Sequence, residues 1–179
     1  IGRATIHDPR TPKYRTPTRT SCQHPCEALY SPTDATTGSV AIMVEGPLDA
    51  LAIASVAATA RPKLTAYATG GTQPTQGQAN RLLAGHHDHI VFALDGDSAG
   101  HEGTVRWVDL VCRHARQPAL VADLPAGSDP ADLVSELGVA ALDRLTTGRP
   151  PTAQLAEIAS RARPRGTWTP RQPVAGIAI

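Results

Sequence analysis

Two aspartates one residue apart, Asp95 and Asp97, close the apolar run Val91-Phe92-Ala93-Leu94, with Gly96 between them. Carboxylates clustered on a tight turn suit one hard divalent cation, which is bound through several oxygens. Gly96 allows the sharp turn, and Ser98 with the small residues after it can open a helix. The same residues would also make an ordinary solvated Asp/Gly turn. The surrounding elements must decide between the two.

The pattern of apolar strand, acidic turn and helix recurs along the chain. Val40 to Val44 reads as a buried strand, followed by Glu45-Gly46-Pro47-Leu48-Asp49 and the helical stretch Ala50 to Ala60. Glu45 falls at the strand end. Asp49 falls in the first helical turn, where it can complement the helix dipole or orient a neighbour. Leu64 to Ala68 is a third strand, and the flexible turn from Thr69 to Thr75 ends on a cap for a helix over about 76–85. Ala119 to Ala122 is a fourth strand; Asp123, Asp129 and Asp132 lie beyond it, and Ser128 or Asp129 capping a helix accounts for them equally well. Helices to about Arg116, through about 147 and over about 152–163 complete the predicted elements. Strands alternating with helices predict an α/β fold, a central parallel sheet of about four strands with helices on both faces. Three of those strand ends carry acids, which favours a metal site over a solvated charge run.

Composition narrows the setting. The 179 residues include one Phe, two Trp and three Tyr, so Ala, Val, Leu and Ile must fill the core. A formal charge of +1 supplies no global reason to expect nucleic acid. No apolar run approaches the roughly 20 residues of a membrane span, and the chain reads as soluble with no membrane partner. Cys22, Cys26 and Cys112 are too few and too irregular for a disulfide framework, which predicts a reducing, cytoplasmic setting. Cys22-Gln23-His24-Pro25-Cys26 lacks the second pair a structural zinc site needs, so free thiols are expected there. His86, His87 and His89 surround Asp88 at the start of a strand, opposite the acid-bearing end, and read as a solvated loop.

Three segments follow. Residues 1–39 are rich in Thr, Pro, Arg and Ser and read as an irregular basic strap, 40–147 as the domain of alternating strands and helices, and 148–179 as a C-terminal helix and Pro/Arg-rich tail. The first residue is Ile, so an excised or truncated piece is expected.

Glu45-Gly46 with Asp49, then Asp95-Gly96-Asp97-Ser98-Ala99-Gly100, resembles the signature of the Toprim domain, a Rossmann-like fold shared by bacterial primases, topoisomerases and related nucleases. The primase type is the more similar, through Gly71-Thr72 with Thr75, and Leu124-Pro125 with Gly127 and Asp129-Pro130. Gly2-Arg3, Pro12-Lys13-Tyr14 and Leu29-Tyr30 are similar to the primase segment before Toprim.

The resemblance implies a catalytic core, a DNA primase-like nucleotidyltransferase, that joins ribonucleoside triphosphates on a single-stranded DNA template, with a replicative helicase as a further partner. It implies Mg2+ or Mn2+ held by Asp95 and Asp97, with Glu45 a third ligand or the general acid/base. Asp129 matches the first acid of a further metal-binding pair, whose second position is Ala131 here, with Asp132 one step later. Arg3, Lys13 and Arg15 would face nucleotide or nucleic acid, and Asp49, Gly46, Gly96 and Gly100 would support the site. Differences before the sheet, including Thr16 and a short stretch between Tyr30 and Val40, suit a divergent primase of a mobile element, plasmid or phage.

Metals bridging phosphate oxygens serve synthesis and cleavage of phosphodiesters alike. Two other readings therefore stand beside primer synthesis: a magnesium-dependent Toprim nuclease, and a non-catalytic nucleic-acid-binding module.

Overall fold

A computed structural model describes residues 2–3, 14–15, 28–33, 39–58, 63–112, 114–115 and 118–151. Two short strands, β1 (Gly2–Arg3) and β2 (Tyr14–Arg15), pair antiparallel, Gly2 opposite Arg15 and Arg3 opposite Tyr14. The strap thus contains regular structure. Lys13, Cys22, Cys26 and the expected helix over 152–163 lie outside the described residues.

The main sheet is built from β3 (Val40–Val44), β4 (Leu64–Ala68), β5 (His89–Phe92), β6 (Ala119–Ala122) and β7 (Gly148–Arg149), in the order β4-β3-β5-β6-β7. The first four are parallel, as their apolar runs predict, and β7 joins β6 antiparallel. Gly148 and Arg149, read from composition as the start of the C-terminal segment, therefore belong to the sheet. A strand of two residues is too short to carry an alternating pattern.

Helices α1 (Pro47–Ala57), α2 (Gln76–Leu83), α3 (Ser98–Cys112), α4 (Pro130–Leu137) and α5 (Ala141–Thr146) cover the sheet, with a 3-10 turn over Gly138–Ala140. Side chains alternate between two cores, as the two-residue period of a strand requires. Val40, Ile42, Val44, Val91 and Ala93 pack with Ile53 of α1, Leu133 of α4 and Leu145 of α5. Ala41, Met43, Ile90, Phe92 and Leu94 pack with Leu82 of α2 and Trp107 of α3.

The strand order explains this division of helices. From β3 the chain steps to β4 on one side, then returns past β3 to β5 on the other. Crossovers between parallel strands are right-handed, so reversing direction moves the connecting helix to the opposite face. Between β3 and β5 the order reverses, and the crevice beyond such a switch point is where open α/β sheets bind ligands.

Candidate functional site

Glu45 follows β3, and Asp95 lies three residues past the end of β5. These two acids therefore flank the switch point. Glu45 Oε1 and Asp95 Oδ1 are both shut off from solvent. The site is also closed in at the first turn of α3, where a Cβ on Gly100 would lie 2.8 Å from Glu45 Oε1 and would collide with the Asp95 carbonyl oxygen. Only glycine lets the helix start this close to both acids.

Each neighbouring acid has a local structural partner. Asp97 Oδ1 accepts a 2.8 Å hydrogen bond from Gly100 N–H, so Asp97, rather than Ser98, caps α3. Asp49 is 3% exposed, and its Oδ2 accepts from Gly46 N–H at 3.0 Å, tying the first turn of α1 back to the residue after Glu45. Asp129 Oδ1 accepts from Asp132 N–H at 2.8 Å and caps α4.

The loops after β5 and β6 are joined through their backbones. Gly96 N–H donates to Ser128 O at 2.8 Å, and Gly127 N–H donates to Gly96 O at 3.0 Å. A Cβ on Gly96 would strike the Pro125 carbonyl oxygen. The acid pair is thus held by the loop that carries Asp129. Asp123, next to that loop, is paired on the surface with Arg149 of β7 at 2.9 Å.

Among the described residues, no three His, Cys, Asp or Glu side chains form a ready-made group for a metal ion. The four acids expected as ligands share one edge of the sheet without closing a cage. The donors present are nonetheless all hard oxygens, of the kind magnesium and manganese select. Magnesium is commonly held by one or two carboxylates, with waters and substrate phosphates completing its shell. Glu45 and Asp95 on contiguous strand ends fit that kind of site.

Other candidates are distributed differently. Arg3 and Arg15 lie on the paired strands β1 and β2, which form a two-stranded sheet of their own among the described residues. The histidine loop is not uniformly solvated: His87 is 4% exposed, with Nδ1 2.9 Å from Ser39 Oγ and Nε2 3.0 Å from Tyr67 Oη. Burial is the main influence lowering its pKa, and it also raises that of Tyr67. Cys112 is half-buried, and burial first, then Asp109, push its thiol up, which favours the protonated form. No helix among the described residues is long and apolar enough to cross a membrane.

Residues 42–134 match the family model described as Toprim-like. The chain belongs to the Toprim-like family. Its similarity within that family is to bacterial primases. The DNA primase of Rickettsia bellii is 30% identical over 134 residues, which are 72% of this chain and 21% of that protein. This chain thus spans about a fifth of that relative's length. In structure, the zinc-binding and RNA polymerase domains of Aquifex aeolicus primase match with a TM-score of 0.63 at 27% identity, over 90% of this chain and 39% of the other. The DnaG primase catalytic domain bound to ssDNA matches with a TM-score of 0.67 at 26% identity, over 87% and 50%. The Toprim domain here is of the primase type, with the α/β sheet expected from its strands.

Proposed function

We propose that this Toprim domain carries the metal-dependent chemistry of a primase, joining ribonucleotides into primers on a single-stranded DNA template during replication. The observation that carries this reading is the meeting of Glu45, Asp95 and the first turn of α3 at the switch point of a sheet similar to primase sheets. The relative in complex with ssDNA supports a single-stranded template.

Glu45, Asp95 and Asp97 would hold Mg2+ or Mn2+, with Asp129 at the margin of the site. What a divalent cation would supply at these residues is neutralisation of the charge that develops on the reacting phosphate. The chain's own contribution is orientation. Gly100 leaves room for the Glu45 carboxylate beside the Asp95 main chain, and Gly127 and Ser128 hold the Asp95-Gly96-Asp97 turn in place. Arg3, Lys13 and Arg15 would neutralise template or nucleotide phosphates. Ribonucleoside triphosphates are the substrates of this reading and a replicative helicase a further partner; the setting is the cytoplasm, on a mobile element, plasmid or phage.

The test combines the protein with single-stranded DNA, ribonucleoside triphosphates and Mg2+ or Mn2+, and follows labelled ribonucleotide into oligomers. Incorporation that the double variant Asp95→Ala, Asp97→Ala abolishes is the expected result. Cutting of DNA with no incorporation would overturn it in favour of a nuclease. Failure of the wild type to bind Mn2+ in calorimetry would mark a binding module without metal chemistry.

A further inference from the structure

Gln78 is 4% exposed, and its side chain ties the segment at Ala28 to the turn that runs from Thr69 to Thr75. Its Nε2 donates to Ala28 O at 3.0 Å and to Thr69 O at 3.0 Å, while its Oε1 accepts from Thr75 N–H at 3.1 Å. Two neighbours are carbonyls and one is an N–H, so the amide can be oriented in only one way. Both of its protons are used. A carboxylate of the same shape would place negative charge against two carbonyl oxygens, and a leucine would leave both carbonyls without this donor.

What Gln78 joins leads to the acid edge. Two residues after Ala28, Tyr30 exchanges two backbone hydrogen bonds with Ala68, at 3.1 and 2.8 Å. Thr69 N–H donates to Val44 O at 3.0 Å, and Gly70 N–H donates to Glu45 O at 2.9 Å. The backbone of Glu45 is thus hydrogen-bonded to the turn that Gln78 ties to the strap.

We propose that Gln78 is a positioning residue that holds the Ala28 stretch of the strap and the Thr69–Gly70 turn together and, through that turn, fixes Glu45 for cation binding. The cation part rests on the metal-dependent function proposed above; the latch itself does not. It acts only through backbone groups and touches no reacting atom.

Amide hydrogen exchange and Mn2+ titration of Gln78→Leu and Gln78→Glu test it. In Gln78→Leu, exchange at Tyr30, Ala68 and Gly70 should accelerate by about tenfold or more, as expected from losing the three hydrogen bonds of the side chain, while Ile42 and Val91 keep their protection. Mn2+ affinity should fall severalfold. Burial against two carbonyls raises the pKa of the carboxyl in Gln78→Glu. That variant should resemble Gln78→Leu at neutral pH and recover part of its protection, corrected for intrinsic exchange rates, as falling pH restores a donating O–H. A residue that merely fills space would show no such recovery. Unchanged exchange at the three amides, or acceleration of Ile42 and Val91 in step with them, would overturn the latch. Absence of Mn2+ binding by the wild type would instead overturn the proposed metal chemistry, with the exchange pattern still deciding the role of Gln78.

Discussion

Glu45 Oε1 lies 2.8 Å from the point where a Cβ of residue 100 would stand, and the Asp95 carbonyl oxygen lies closer still. Two strand ends and one helix start therefore share a space that admits no methyl group. The obstacles are backbone and a carboxylate whose Oε1 is buried, so the strain has no easy outlet.

Gly100→Ala should raise the helix propensity of α3 and still destabilise the protein. Overpacking a well-packed site costs about 1–3 kcal/mol, more than the roughly 1 kcal/mol an Ala gains over Gly in a helix. Urea unfolding would show the loss. Calorimetry with Mn2+ would show affinity lowered by about tenfold, a change of ~1.4 kcal/mol.

Gly96→Ala should separate the loops after β5 and β6. The added methyl meets the Pro125 carbonyl oxygen, with Ser128 O 3.2 Å away. The expected loss is about 1–3 kcal/mol. In hydrogen exchange the amides of residues 96 and 127 should lose protection while that of Ile42 keeps it.

Asp97 separates capping from charge. Asn caps helices about as well as Asp, whereas Ala at such a position costs about 1 kcal/mol. Thermal denaturation should therefore find Asp97→Asn close to wild type and Asp97→Ala less stable. Both should lose cation-dependent nucleotide incorporation. Full incorporation by Asp97→Asn would reduce this residue to a helix cap.

Stability should fall in mild acid because of His87. Its folded pKa is lowered from 6.5, chiefly by burial, with Asp88 and the contact with Ser39 opposing and His86 reinforcing the shift. The unfolded chain then binds the proton more readily, so stability is full above pH 6.5 and is lost as pH falls from there through the folded value. Chemical denaturation across that window should show the decline. His87→Phe should flatten this part of the profile while lowering stability at neutral pH, since Ser39 and Tyr67 lose a shared partner.

The parallel strands were legible because a strand buried on both faces is a short, nearly unbroken apolar run. Val40 to Val44 and Val91 to Leu94 are such runs, and the acids after them were placed at strand ends by counting alone. Bringing Glu45 to Asp95 took the family resemblance rather than the local pattern, because strand order is decided by pairing across long separations and leaves no local trace. Asp97 and Ser98 are both good caps, one residue apart, and sequence does not choose between them. His87 sits among His86, Asp88 and His89, a polar surrounding that conceals its burial. What buries it are Ser39 and Tyr67, 48 and 20 residues away in the chain.

The rims of the sheet bear on how small a working piece of this protein can be. Tyr30 bridges to Ala68 on the outer side of β4, and β7 lies along the outer side of β6. Both coverings fall outside residues 42–134, the stretch that matches the family model. A polypeptide trimmed to that stretch would bare unsatisfied amides and carbonyls along two borders, an invitation to strand-by-strand self-association. It should sediment as oligomers or precipitate more readily than a chain running from Ala28 to Arg149, which keeps both coverings.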